Sequence, residues 1–346
     1  MKVPVLFQPR TRLISLVILS ALLLYSCDAF KEDMFPAYLG QEQAQIDMTK
    51  IREAAGLSSS AFIGQIQPIK IPALQKSYIL LTLHQLGLPS ALVVLDGKSL
   101  EILKTFTEIP IGKFLVLDMD GYIVTGNGNT LSRIDPASLE LIDNPTSEAS
   151  IDFAQFGFSV DVSGLNKTLL IGMENGVLVL KSYSKNSSPW DTVNTYERLY
   201  IFNSNPDPSD AGNFYIQDLY YNGSKVRLAL RNNLTNDTFI FTWSSVNDFI
   251  NSFSASNLAS GAAVNKVPSG KGDSGGLTRA GCFIRTDNKG PVLELYRLDA
   301  DNALRDSFTL PPNSWGRFSF FKDGSGWMFY EERADTLHLL RPWWQE

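Results

Sequence analysis

The sequence predicts an all-β protein: a β-propeller of six blades, or seven if one copy escapes the count, whose ring is closed by an N-terminal strand. From residue 62 onward, helical periodicity nearly disappears, and apolar runs of five to eight residues alternate with Asp-Gly and Asn-Gly turns. A unit of about four short strands recurs roughly every 40 to 60 residues. Such a unit cannot bury both faces alone, so stacking around an axis supplies its core. A two-layer sandwich is the alternative, but it would need unusually many strands.

Composition narrows the class of function before any motif is considered. The chain has 346 residues, 44% hydrophobic, with a net charge of −6, which fits a globular protein and disfavours binding to nucleic acid. Two cysteines and two histidines offer no disulfide framework and little material for a histidine-based metal site. We therefore expect no cofactor, no metal centre of that kind and no nucleic-acid partner.

The first 26 residues have the pattern of an export signal. Three basic residues precede an apolar run from Leu13 to Tyr25, which would span about 20 Å as a helix and is too short for a permanent membrane span. The run ends in Leu24-Tyr25-Ser26-Cys27, which resembles the lipobox of bacterial lipoproteins. That resemblance implies lipidation of Cys27, attachment to a membrane through this lipid, and a location outside the cytoplasm, periplasmic or cell-surface facing. A plain secretory signal with an incidental cysteine is the alternative.

Residues 27–61 are predicted to form a tether with one short helix. Ala44, Met48, Ile51 and Ala55 recur at spacings of three and four residues, which indicates an amphipathic helix ending at Gly56. The propeller is then expected to cover residues 62–346.

The body of the chain contains clear strand patterns. Residues 225–231 place Val226, Leu228 and Leu230 on one face and basic residues on the other. Residues 238–243 are apolar on both faces, as expected for a strand packed between two sheets. Residues 245–254 have helical periodicity and predict a short helix that covers a blade edge or docks a partner.

Six copies of the repeat can be aligned by the position at which one strand ends. These ends lie near residues 96, 135, 182, 244, 299 and 340. In several copies an Asp closes the strand and is expected to cap the following turn with its own side chain. Residues 121–142 resemble the blade repeat of quinoprotein-like propellers and of similar bacterial surface-protein propellers. The signature tryptophan of the quinoprotein repeat does not follow Leu141, so the resemblance implies no cofactor.

The ring needs a strand from elsewhere, because too little chain follows the last copy. Residues 62–71 are the expected source, paired with residues 337–341 at the outer edge of the last blade. Pro68 suits an edge position because it has no N–H to donate to a ladder.

Two motifs suggest chemistry. Residues 272–276, Gly-Asp-Ser-Gly-Gly, match the nucleophile loop of chymotrypsin-like serine proteases, with His84 as the loosely matching base. The residues on either side do not continue that pattern, which favours an inter-blade loop, and we assign no catalytic residue. A second loop offers a candidate cation site, although the missing glycine and closing glutamate of an EF-hand favour a solvated loop. Its oxygen-bearing side chains are Asn203, Asn205, Asp207 and Asp210.

The function expected from these features is binding or scaffolding at the cell envelope by a lipid-anchored propeller, with a protein partner or a small ligand at a channel mouth. In this fold, function resides in the loops and the channel ends. A hydrolase or lyase with its site at the channel mouth is the alternative. Exposed aromatic rings with polar neighbours at one mouth would indicate a small-molecule or glycan site.

Overall fold

A computed structural model describes most of the chain from residue 41 onward. The described ranges are 41–87, 90–118, 120–144, 150–162, 165–174, 177–184, 191–198, 214–254, 258–267, 275–277, 282–287, 292–297, 304–309, 316–322, 325–332 and 334–341. All strand pairs within the described sheets are antiparallel.

These residues form six four-stranded sheets, five of which use four consecutive strands. The first sheet contains β2 (Phe62–Ile71), β3 (Lys76–His84), β4 (Ala91–Asp96) and β5 (Ile102–Phe106). The second contains β6 (Val116–Leu117), β7 (Ile123–Asn127), β8 (Thr130–Asp135) and β9 (Glu140–Asp143). The third contains β10 (Ala154–Val162), β11 (Leu165–Glu174), β12 (Val177–Ser184) and β13 (Asp191–Arg198).

The remaining three sheets complete the ring. The fourth contains β14 (Phe214–Tyr221), β15 (Val226–Asn232), β16 (Thr238–Trp243) and β17 (Ala262–Val267). The fifth contains β18 (Gly275–Leu277), β19 (Cys282–Asp287), β20 (Val292–Arg297) and β21 (Leu304–Thr309). The sixth contains β22 (Gly316–Phe320), β23 (Trp327–Glu331), β24 (Thr336–Arg341) and β1 (Gln41–Asp47). Two helices, α1 (Met48–Ala54) and α2 (Val246–Ser254), and a short 3₁₀ helix (Pro72–Leu74) complete the described elements.

The prediction of an all-β propeller is confirmed. Each of the six strand ends read from the sequence lies within two residues of the end of the third strand of one sheet, from β4 to β24. The predicted closure by an N-terminal strand is also confirmed, because β1 pairs with β24.

The identity of the closing strand was predicted incorrectly. Residues 62–71 pair with β3 as the first strand of their own sheet, and β1 pairs with β24 from Gln41 opposite Arg341 to Asp47 opposite Thr336. The predicted helix is correspondingly shorter, since residues 41–47 are extended and only α1 is helical. The ring-closing strand therefore lies within the segment expected to be a tether.

Apolar side chains from neighbouring sheets form the core between them. Leu80 and Val94 of the first sheet pack in one cluster with Ile123 and Ile134 of the second. The other clusters follow the same rule: Leu170 and Val179 with Val124 and Leu131, Leu180 with Leu228 and Phe241, and Leu337 and Leu339 with Leu81 and Val93. The last of these joins the sixth sheet to the first and so buries the two faces that would otherwise end the stack.

Helix α2 covers the cluster between the third and fourth sheets. Its Val246, Phe249 and Phe253 are buried, and the ring of Phe249 lies edge-on to Trp243 with centroids 4.9 Å apart. The apolar face predicted for residues 245–254 is therefore used within the chain's own core.

Asp side chains cap turns as the sequence predicts. Asp96 Oδ1 accepts hydrogen bonds from the backbone N–H of Lys98 at 2.9 Å and of Ser99 at 2.8 Å. Asp135 Oδ1 accepts one from the N–H of Ala137 at 2.8 Å. These bonds satisfy backbone donors that the turns leave outside the ladders and fix where the fourth strand begins.

Charged pairs fasten the N-terminal segment to the last hairpin. Arg52 on α1 binds Asp335 through two guanidinium nitrogens, one of them 2.8 Å from Oδ1, and donates through Nε to the Ala61 carbonyl at 2.8 Å. The Tyr330 hydroxyl donates to Asp335 Oδ1 at 2.9 Å. On β24, His338 Nδ1 lies 2.7 Å from Glu42 Oε2 of β1.

These contacts shift the ionisation of their members. The hydrogen bond from Arg52 holds the pKa of Asp335 below its ordinary value. Burial, reinforced by the hydrogen bond to Asp335, raises the pKa of Tyr330 to about 12.

Within the described residues, no helix has the length and apolar character needed to span a membrane.

Replacing Asp335 should weaken the attachment of α1 to the last hairpin. We expect Asp335→Asn to lower the free energy of unfolding by about 1–2 kcal/mol, because the mostly buried Arg52 loses a charged partner that is itself only partly shielded from water. The ionised Asp335 stabilises the fold above its unfolded pKa, and this contribution is lost as pH falls through its lower folded pKa. Chemical denaturation at neutral pH and near pH 3 measures both effects.

Glu332→Gln, which removes an exposed carboxylate from the same hairpin, is the matched control. The difference between Asp335→Asn and this control should be present at neutral pH and shrink in acid. A variant as stable as the control at neutral pH would contradict the assigned role.

Candidate ligand-binding channel

The innermost strands of the sheets surround a chamber of about 710 Å³. Most lining residues come from the first strands β2, β10, β14, β18 and β22, with Thr82 and His84 from β3, Lys113 from just before β6 and Lys322 from just after β22. These first strands contact one another in the order β10, β14, β18, β22 and β2, and β6 contacts β10. The chamber is therefore part of the central channel. A smaller space of about 110 Å³ adjoins it and shares Gln67, Gln155, Asp218 and Lys322.

Bulges in three inner strands occur at this chamber. The pairing register shifts by one residue at Gly64 in β2, at Gln155 in β10 and at Gln217 in β14. An extra residue leaves the ladder locally and redirects its side chain. All three bulged residues line the chamber, so two of them contribute glutamine side chains to its wall.

The wall contains buried polar atoms without hydrogen-bond partners in the described part of the chain. Thr82 is 1% exposed and its Oγ1 has no partner. Gln217 is 9% exposed; its Oε1 accepts from the Thr238 hydroxyl at 2.8 Å, but its Nε2 has no partner. The Oε1 atom of Gln65 is likewise unsatisfied. Leaving such groups unpaired costs about 1–3 kcal/mol each, which is the usual mark of a site that a ligand or water completes.

One ion pair stands where the chamber meets the smaller space. Lys322 Nζ lies 2.7 Å from both carboxylate oxygens of Asp218. The backbone N–H of Leu219 donates to Oδ1 and that of Leu277 donates to Oδ2, each at 2.8 Å. Asp218 is thus saturated with donors and joins β14, β18 and the segment after β22. It cannot serve as a free base in this arrangement.

The chamber wall also contains an exposed aromatic ring beside a histidine. Phe62 is 56% exposed, and its ring centroid lies 5.7 Å from that of His84. His84 Nδ1 lies 2.6 Å from the Ser90 hydroxyl. A Cβ on Gly64 would lie 2.2 Å from His84 Nε2, so only glycine leaves room for the imidazole there. An exposed aromatic ring with polar neighbours is the combination expected of a small-molecule or glycan site.

Only some residues of the motifs singled out in the sequence lie within the described ranges. Gly275 and Gly276 begin β18, and Gly276 lines the same chamber as His84, whereas Asp273 and Ser274 lie outside the described residues. A ring of six sheets is not the paired-barrel architecture of chymotrypsin-like proteases. Cys27 and the candidate cation ligands Asn203, Asn205, Asp207 and Asp210 also lie outside the described residues. No group of three or more metal-ligating side chains occurs in the part of the chain that is described.

Sequence reasoning missed the glutamines and the ion pair of the channel. Gln65 and Gln67 alternate on β2, which marks a polar face on the first strand of a repeat and could have indicated the channel side. The bulges at Gln155 and Gln217 have no comparable signature. Asp218 and Lys322 are 104 residues apart, and stacking of the fourth, fifth and sixth sheets brings them together.

Comparison with known proteins identifies no family. No protein-family model matches the chain, and no curated protein matches it. Among solved structures, the β-propeller domain of Cps50 (Swd1) from Myceliophteria thermophila has a TM-score of 0.45 at 9% identity and covers 80% of this chain and 99% of its own. BBS1N in complex with ARL6DN has a TM-score of 0.46 at 7% identity over 89% and 98%. The Dos1 propeller has a TM-score of 0.44 at 11% identity over 81% and 78%. These likenesses concern the fold alone.

Proposed function

We propose that this protein is a binding module of the cell envelope, exported and held at a membrane by a lipid on Cys27, that takes a small ligand into its central channel. The observation that carries the binding role is the chamber of about 710 Å³, whose size lies within the range of small-molecule sites. Its wall combines aromatic rings with a few polar groups, as such sites do.

Several features favour ligand binding over catalysis. The one carboxylate among the described lining residues, Asp218, is occupied by Lys322 and two backbone N–H groups. The unsatisfied atoms of Thr82 and Gln217 belong to a hydroxyl and an amide, which form hydrogen bonds but do not titrate near neutral pH. A hydrolase or lyase at the channel mouth remains the second function expected from sequence, and the contact between His84 and Ser90 is the feature that favours it.

The lipid anchor and the ring closure are compatible. Residues 28–40 separate Cys27 from the start of β1, and an extended chain of that length reaches at most about 50 Å. A lipid at Cys27 would therefore keep the start of β1, at the outer edge of the sixth sheet, within that distance of the bilayer surface. The chain's negative charge would not itself hold it to anionic lipids, so the acyl chains must supply the attachment.

Filling the chamber should abolish ligand binding without unfolding the ring. Two related fluorescent dyes, anilinonaphthalene sulfonate and neutral N-phenylnaphthylamine, are suitable probes because each has an aromatic body and is small enough for the chamber. We expect at least one to bind at a single saturable site, and Gln155→Trp or Ser319→Trp to weaken that binding at least ten-fold. Fluorescence titration measures the affinities, and circular dichroism checks the fold.

Ala137→Trp, at an exposed turn residue outside the chamber, is the matched control and should bind like the wild type. Failure of both dyes to bind, or equal binding by the filled and unfilled chambers, would contradict the proposal.

Removing the lipidation site tests the membrane role separately. Cys27→Ser should move the protein from the membrane fraction to the soluble fraction of its export compartment, because no acyl chain can be attached. Fractionation followed by immunoblotting measures the distribution, with Cys282→Ser as the control. Unchanged membrane association of Cys27→Ser would count against the anchor.

A further inference from the structure

The chamber has the opposite charge from the chain that surrounds it. The whole chain carries a net charge of −6, whereas the charged lining residues are Lys113, Lys322 and Asp218. Asp218 is neutralised by its contacts with Lys322 and two backbone N–H groups. The described wall therefore has an excess of one positive charge, in a concave site where the nearby protein reduces screening by water.

Lys113 can offer its charge to a ligand. Its side chain is exposed, it lines the chamber, and it has no hydrogen bond or ion pair with any other described residue. It sits on the segment that enters β6, between the inner strands β2 and β10.

Lys322 can offer one more hydrogen bond to a ligand. An ammonium group has three N–H donors, and the two oxygens of Asp218 accept two of them. The remaining donor has no hydrogen-bond partner within the described ranges, although the ammonium nitrogen lies 6.0 Å from the centroid of the Tyr220 ring. Lys322 lines both the chamber and the smaller adjoining space, so its ammonium group stands where the two meet.

The described wall also contains four phenylalanine rings. Phe62, Phe156, Phe318 and Phe320 all line the chamber. Phe318 and Phe320 meet edge to face with centroids 5.4 Å apart, which leaves an apolar surface for a flat or hydrocarbon group.

We propose that the channel binds a small organic anion with an apolar, preferably aromatic, body. The anionic group lies near Lys113 or Lys322, the body packs against the phenylalanine rings, and the glutamine amides and Thr82 bind its polar atoms. This assignment rests on the proposed function, and it adds the chemical class of the ligand.

The two dyes form a matched pair for this test, because they share one ring skeleton and differ in a sulfonate. Anilinonaphthalene sulfonate should bind at least ten-fold more tightly than N-phenylnaphthylamine at low salt. Its affinity should fall as sodium chloride is raised, while that of the neutral dye should not. Fluorescence titration against purified full-length protein measures both affinities.

Lysine variants test which side chains supply the positive charge that binds the anionic dye. Lys113→Gln should lower the affinity for the anionic dye about five-fold or more, and Lys322→Gln should do the same. Neither variant should change the affinity for the neutral dye by as much as two-fold. Lys113→Gln is the cleaner variant, since Lys113 holds no structural contact among the described residues. Lys225→Gln removes an equally exposed lysine outside the chamber and should leave both affinities unchanged.

The outcomes separate this inference from the proposed function. Preference for the anionic dye, lost in Lys113→Gln but retained in Lys225→Gln, supports the assignment. A second outcome is that both dyes bind equally, Gln155→Trp blocks them and the lysine variants have no effect. This outcome overturns the anion assignment and leaves the channel as a binding site. Absence of saturable binding, or binding that Gln155→Trp does not block, overturns both.

Discussion

Each sheet of this protein has apolar faces that only its neighbours can cover, and this requirement holds the structure together. The side chains of β3 and β4 alternate between a cluster shared with the second sheet and one shared with the sixth, so the first sheet is buried on both sides. A stack of such sheets has two open ends unless it closes. Pairing of β1 with β24 joins the beginning of the chain to its last hairpin, and Arg52 with Asp335 secures the same joint.

The closed ring also creates the channel. Inner strands converge on the axis, where no further sheet can cover them, and their side chains there meet one another or solvent. Bulges at Gly64, Gln155 and Gln217 interrupt the ladders at this position, and Asp218 of the fourth sheet binds Lys322, which follows the first strand of the sixth. Packing between sheets thus determines the ring, and the polar residues left at its centre determine what the ring can bind.

The repeat was predictable because it depends on local patterns, whereas closure and channel depend on distant contacts. Asp96 and Asp135 mark strand ends through their own turns, and residues 238–243 are apolar on both faces, so both signals lie within a few residues. Residues 41–47 were misread because Ala44 has helical spacing to Met48, and pairing with β24 overrides that local preference. The ion pair between Asp218 and Lys322 has no local signature at all.

Hydrogen exchange of the full-length protein tests most directly whether closure holds the ring together. The backbone amides of β1 and β24 are measured against those of β15 and β16, which lie in the fourth sheet, over a series of denaturant concentrations. If β1 unfolds only together with the rest of the ring, its amides should exchange with the same free energy of opening and the same denaturant dependence as those of the fourth sheet. Rapid exchange of β1 while β15, β16 and β24 remain fully protected would show that the ring stands without its closing strand and would contradict this account.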